Sequence, residues 1–374
     1  MQQQRNYGID LLRMFSMLLV VILHTEGHGG VLEAAQGHSV YWAYLPEAFA
    51  YCAVNCYALI SGYVGVASRW RPANLISLWL QVAFYSVGFT ALWGMLMPGS
   101  VGITDLLHAL MPVTYQYVDY WYFTAYFGLF FLIPLLNHLV RTMPRRQLRT
   151  MLVVLVLVFS VFPTITRHDR FYLANGYSVW WLAILYLIGG YIRQYKAWEK
   201  IRASKALGMY VGFSLLSYAL RMGRNILTRR VEWYAKIGDR FFGAQSDWLN
   251  YISPTVLLAA VGLLLLFRNL RLPAWSVRLI RLASPLAFGV YLIHNHPLVS
   301  DALMENRFAS YASLPGPLLV LAVIGTAVVI YLACTAVDAV RSLLFRLLRV
   351  RQFADWCEKA LRKVFLCCSE RIFG

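Results

Sequence analysis

The chain is short of charge. Only 14% of its 374 residues are Asp, Glu, Lys or Arg, while 60% are hydrophobic. A soluble chain is about a quarter charged and about half apolar. Long uncharged runs, such as Met151–Phe162 and Thr255–Phe267, recur along the whole length. The shortage excludes a soluble enzyme and a disordered chain. Cysteine is sparse as well, and the six present have no metal-ligand spacing. Cys52, Cys56 and Cys334 fall inside apolar runs, and Cys357, Cys367 and Cys368 fall in the C-terminal segment. That excludes a secreted disulfide scaffold, fits a reducing compartment, and gives no reason to expect a metal. The apolar runs also lack the every-second-residue alternation of a transmembrane β-strand. There is no Gly/Ser linker, no strong internal repeat, and no basic segment with a small-residue cleavage site like that of a signal peptide. What fits is an all-α, polytopic transmembrane bundle.

A crossing needs ~20 mostly apolar residues. Ten segments qualify: 9–25, 46–66, 75–97, 119–140, 150–165, 176–195, 206–222, 248–267, 282–300 and 315–343. Acidic residues number 17 against 34 basic ones, a net charge of +17. With the N-terminus inside, the inner segments hold 24 of those 34, and the outer ones hold nine, six of them in 221–247. The excess of inner Lys and Arg predicts both termini in the cytoplasm. Most of the positive charge is then a topology signal, and no nucleic-acid partner is expected. The chain divides into a membrane domain, 1–345, and a basic amphipathic tail, 346–374, expected on the inner leaflet.

Ionisable groups in hydrocarbon are costly and mark function by default. The first span carries Asp10, Arg13 and His24. Arg13 and His24 are eleven residues apart, so they share a helix face ~16 Å apart along the axis. Arg13 also fits a snorkelling anchor, and His24 an interfacial histidine. In the ninth span His294 lies ~18 Å from the start, at a depth like that of His24. Two imidazoles at one level suit proton abstraction from a hydroxyl; the alternative for His294 is interhelical hydrogen bonding. Glu26 follows His24 and either tunes it or is solvated. Ser61-Gly62-Tyr63 ends the second span, where small residues serve close packing as readily as a ligand. Arg69 and Arg71 follow, fitting either the charge rule or forked phosphate recognition. Trp121 and Tyr122, after Asp119, fit an interfacial belt or stacking on a sugar. The basic stretch 221–247 holds Arg221, Arg224, Arg229, Arg230, Lys236 and Arg240 with Trp233 and Tyr234. It reads as a rim attracting an anionic lipid or glycan, or as an interfacial helix.

In this order the residues resemble the acyltransferase-3 family of membrane acyltransferases. The resemblance rests on Arg13, ten residues and His24 in the first span, on Ser61-Gly62-Tyr63, on Arg69 and Arg71, on Trp121-Tyr122-Phe123, and on Tyr291-Leu-Ile-His294. It covers roughly 5–345. The basic inner loop is shorter here than in commoner members, and no hydrolase-like outer domain is fused. The resemblance implies transfer of an acyl group, usually acetyl, from cytoplasmic acyl-coenzyme A to a hydroxyl of a cell-envelope glycan or exopolysaccharide precursor. It implies a bacterial cell membrane and no permanently bound cofactor. The site expected on this basis has His24 as base or transient acyl carrier, His294 aligning the acceptor or oxyanion, and Asp10 orienting Arg13. Arg13, Arg69, Arg71 and Ser61 are expected at the donor, and Glu26, Trp121, Tyr122 and Arg224 at a glycan or lipid-linked acceptor. By physics alone, buried Arg and His in ten spans also suit a transporter or flippase for a lipid-linked or anionic solute.

Overall fold

The structure, a computed structural model, describes residues 5–111, 113, 120–230 and 248–373. Among them all regular structure is helical. The helices in chain order are α1 (Tyr7–Glu26), α2 (Val31–Ala34), α3 (Ser39–Ala50), α4 (Ala53–Gly65), α5 (Pro72–Leu96), α6 (Ile103–Leu110), α7 (Trp121–Thr142), α8 (Arg145–Val156) and α9 (Phe162–Thr166). They continue with α10 (Val179–Gln194), α11 (Ala203–Arg230), α12 (Pro254–Arg268), α13 (Ala274–Ala283), α14 (Ala287–His294), α15 (Pro297–Leu303), α16 (Gly316–Leu347) and α17 (Val350–Phe373). Asp119 and, from the basic stretch, Glu232, Trp233, Tyr234, Lys236, Asp239, Arg240 and Asp247 lie outside the described residues, as do the side chains of Arg229, Arg230, Cys367 and Cys368.

Each of the ten apolar segments falls on helix. Seven helical stretches are long and apolar enough to cross a membrane: Tyr7–Glu26, Ser39–Gly65, Pro72–Leu96, Trp121–Thr142, Arg145–Thr166, Ala274–His294 and Gly316–Leu347. Seven such stretches mark a multi-pass membrane protein. The other three segments differ for a physical reason. At ~1.5 Å per residue α10 and α12 are only about 22–24 Å long, short of the ~30 Å hydrocarbon. Both are enclosed by neighbouring helices along most of their length. The third, α11, is 28 residues long but carries Arg221 and Arg224.

Three spans are interrupted, two of them beside a proline. Pro46 lies inside α3, and the turn Tyr51–Cys52 separates α3 from α4. A π-turn, Leu157–Val161, precedes Pro163 in α9. A 3-10 turn, Ser284–Leu286, contains Pro285 and separates α13 from α14. Proline withholds the amide that would bond the carbonyl four residues back, which loosens the ladder there.

The centre of the bundle is the close approach of α4 and α10. A methyl on Gly62 would meet the Tyr186 carbonyl oxygen at 1.9 Å, and one on Gly189 the Leu59 carbonyl oxygen at 2.1 Å. The Ser61 hydroxyl donates to the Tyr57 carbonyl of its own helix at 2.9 Å. The small residues ending the second span therefore serve packing.

The tail is a docked helix. From the loop before α5, Arg71 donates to Asp355 at 2.9 Å and to Glu358 at 3.1 Å. Glu358 also accepts from the Ala73 amide and from Arg362, and Arg351 donates to Asn74. Beyond the expected inner-leaflet placement, the structure gives the tail a protein contact: its carboxylates hold it against α5. Burial works to raise the Glu358 carboxyl, but hydrogen bonds from Arg362, Arg71 and the Ala73 amide, with the Arg71 charge, outweigh it and hold the group below the usual carboxylate range.

Two measurements check this architecture. Gly189→Ala should cost ~1–3 kcal/mol in unfolding experiments, because α4 and α10 must part. Gly208→Ala in α11, where an added methyl meets nothing within 4 Å, should be neutral or stabilise by up to ~1 kcal/mol. Because the Glu358 carboxyl is depressed, tail docking is fully present above its ordinary pKa and is lost as pH falls through the lower folded value. Hydrogen exchange in α17 should therefore be slow at pH 7 and rise selectively below about pH 4.

Candidate active site

Three cavities follow one another along α1. The first, of about 490 Å³, lies at its N-terminal end and is lined by Arg5, Asp10, Arg13, Tyr63 and Arg193. Asp10 is buried and accepts from Arg5 at 2.6 Å and from Arg13 at 2.9 Å. Arg193 lies 5.0 Å over the Tyr63 ring and donates to its hydroxyl. Three guanidiniums thus face one carboxylate. An adjoining cavity of about 530 Å³ shares Tyr63 and Arg193 and extends the basic mouth to Lys196 and Arg268.

The second cavity is a slot of about 30 Å³, lined by Met17, His24, Tyr57, Tyr122 and Phe288 among others. Tyr57 donates to the Arg13 carbonyl at 2.8 Å, fixing the lower wall. The third, of about 480 Å³, opens at the C-terminal end of α1. Tyr51, Trp121, Tyr177 and Tyr251 form an aromatic wall there, with ring centres 4.4 Å apart for Trp121–Tyr177 and 5.0 Å for Tyr177–Tyr251. His28, Glu47 and Asp301 supply its polar groups. His24 lines both the slot and this third cavity.

The two imidazoles meet. His24 Nδ1 is 2.9 Å from His294 Nε2, and His294 Nδ1 is 2.5 Å from the Val290 carbonyl oxygen. A carbonyl only accepts, so His294 Nδ1 carries its proton; in the neutral ring Nε2 then accepts from His24 Nδ1. His24 Nε2 is left with a lone pair and no partner among the described residues. That is the arrangement of a base whose tautomer is set by a second residue.

Not every expected residue reaches these cavities. Asp10 is fourteen residues from His24, ~21 Å along the helix; it belongs to the basic cavity and does not touch the imidazoles. Arg69 is exposed and lines none of these cavities, and Arg71 is held by the tail. Their place in the basic cavity is taken by Arg5 and Arg193. Ser61 spends its hydroxyl within α4. Glu26 is fully buried and does not line the third cavity, and its carboxylate oxygens have no hydrogen-bond partner among the described residues. Arg224 does not line it either; Arg221, one turn earlier, stacks over Tyr44. Trp121 lines both the slot and the third cavity, whereas Tyr122 lines only the slot. Of the residues that sequence reasoning missed, His28 carried a local signal, standing one turn beyond His24 on the same face. Arg5, Arg193, Glu47, Tyr51, Tyr177, Tyr251 and Asp301 carried none.

Asp10→Asn should leave Arg5 and Arg13 facing each other without a counter-charge. Thermal unfolding should show a loss of ~1–3 kcal/mol, and added salt should shrink the loss by screening the two cations.

The comparisons with known proteins give a family. The acyltransferase-3 family model, described as an acyltransferase domain, matches residues 6–336. No curated protein and no solved structure gives a match. The matched span includes α1 with its Arg13 and His24, His294 on α14, and every residue named in the three cavities except Arg5. The chain belongs to the acyltransferase-3 family and is a membrane acyltransferase.

Proposed function

We propose that the protein transfers an acyl group, acetyl by preference, from acyl-coenzyme A to a hydroxyl of a cell-envelope glycan or exopolysaccharide precursor in a bacterial cell membrane, with both termini cytoplasmic. The observation that carries this reading is the His24–His294 contact at 2.9 Å, with His24 Nε2 free at the junction of two cavities.

The donor's phosphates suit the basic cavity, where Arg5, Arg13 and Arg193 offer forked donors. The pantetheine arm is thin and apolar enough for the slot between Met17 and Tyr57. A volume of 30 Å³ holds about one water, so Tyr122 must turn aside as the arm enters, while Tyr57 stays on the Arg13 carbonyl. The acceptor enters from the aromatic cavity, its sugar ring against Trp121 and Tyr177. His24 Nε2 takes the proton of the acceptor hydroxyl as that oxygen attacks the thioester carbon. The carbon–sulfur bond then breaks, and the proton on Nε2 passes to the departing thiolate. His294 is a positioning residue: by accepting from His24 Nδ1 it fixes the tautomer and stabilises the imidazolium between the two proton transfers.

Transfer of labelled acetyl from acetyl-coenzyme A by purified protein tests the mechanism. His24→Ala should lower kcat by at least ~10²–10⁴-fold, and normal transfer by that variant would overturn the reading. His294→Ala should lower kcat by roughly 10²–10⁴-fold while leaving both KM values near normal. At the donor, Arg13→Lys keeps charge but loses the fork, so KM for acetyl-coenzyme A should rise by on the order of ten-fold. Arg71→Gln should free the tail and leave that KM unchanged. Mass spectrometry of envelope glycans made with and without the protein should show the mass of one acetyl per modified residue.

A further inference from the structure

Away from the cavities along α1, a groove of about 520 Å³ runs between α8 with its π-turn on one side and α10 and α12 on the other. It shares no lining residue with the three cavities. Its length is apolar, walled by Leu152, Val156 and Val161 opposite Ile188, Leu257 and Val261. From Arg145 to Val161 it follows ~24 Å of helix, more than the ~15 Å of one leaflet's hydrocarbon. Polar groups are concentrated at one end, where Arg145 and Arg149 stand one turn apart on the same face near Trp198.

Several arginines nearby are already engaged. At this end of the bundle Arg141 donates to the Val66 and Ser68 carbonyls, Arg193 engages Tyr63, Arg268 donates to the Ala197 and Trp198 carbonyls, and Arg71 holds the tail. Arg145, Arg149 and, outside the groove, Arg146 have no hydrogen-bond or ion-pair partner among the described residues. A trough with two unengaged guanidiniums at headgroup depth and hydrocarbon walls beyond has the charge and polarity of one kind of occupant. We infer that the groove binds an anionic glycerophospholipid, its phosphate on Arg145 and Arg149 and one acyl chain along the wall formed by α12. The π-turn supplies Leu157 and Val161 to the wall where the chain end would lie.

Native mass spectrometry of the full chain, exchanged into equal amounts of phosphatidylglycerol and phosphatidylcholine, tests this. The protein should retain phosphatidylglycerol by on the order of ten-fold over phosphatidylcholine. Arg145→Gln with Arg149→Gln should bring the ratio to about one. Arg146→Gln, a neighbour outside the groove, should leave it unchanged. Val153→Trp, which fills the trough at an exposed position, should reduce retention of both lipids with the arginines intact. Equal retention of the two lipids by the unaltered protein would overturn the inference. So would an equal loss in Arg146→Gln, which would mean diffuse surface charge. Stronger retention of a polyprenyl phosphate than of phosphatidylglycerol would overturn the choice of occupant.

Discussion

Hydrocarbon offers no hydrogen-bond partner, so a polar group inside this bundle has to find one in the protein. That constraint fastens the helices to one another. Asn55 on α4 donates to the Tyr251 carbonyl and accepts from Trp181 on α10. Asn137 on α7 joins Tyr186 to the Gly65 carbonyl. Asp338 on α16 receives Arg341, Tyr85 and Gln81, and Gly289 on α14 leaves room for it, since a methyl there would lie 2.1 Å from the carboxylate. The same fastenings set the site. Asn55 fixes the backbone of Tyr251, one of the rings of the aromatic cavity, and Tyr120 donates to the Leu292 carbonyl, two residues before His294. Glu26 departs from the pattern, its two oxygens buried without a hydrogen-bond partner among the described residues, and so do the hydroxyls of Ser16 and Ser86 and the ring nitrogens of His296.

Against that background a nitrogen left unpartnered beside a cavity stands out. The bond from His24 to His294, with the Val290 carbonyl behind it, uses three of the four ring nitrogens' bonding capacities and leaves His24 Nε2 over. The surroundings change along α1 in a way that suits two unlike substrates. One end is cationic and wide, the middle is narrow and aromatic, and the other end combines aromatic faces with Glu47 and Asp301. In the proposed mechanism the polyanionic donor and the glycan acceptor approach the same imidazole from opposite ends. In that proposal the charge difference between the cavities is what would keep each substrate on its own side.

The arginines at the N-terminal end of α1 and nearby sort by what they touch. Arg5, Arg13 and Arg193 line the basic cavity; Arg71, Arg141 and Arg268 brace loops and the tail; Arg145 and Arg149 face the groove. One compositional signal, an excess of basic residues in certain loops, thus covers three different physical uses. The tail helix α17 lies beyond the matched family region and uses its acidic residues to engage Arg71.

The sequence by itself determined the helical class and carried the resemblance to the family, because uncharged runs of spanning length and short motifs such as Arg13 with His24 act within single helices, in chain order. It also pointed to His24 and His294, because an imidazole in an apolar run is costly wherever the run folds. It could not say which arginine meets which partner. Arg71 and Glu358 are 287 residues apart, and Tyr51, Tyr177 and Tyr251 come from three separate segments, so nothing local marks them. Nor could it say that Ser61 bonds within its own helix or that Arg69 lies outside the basic cavity: a side chain's type is written in the chain, but its direction is settled by the helices packed around it. Only the tertiary structure decided which polar groups satisfy one another and which are left for a substrate, since that sorting depends on distances across the bundle.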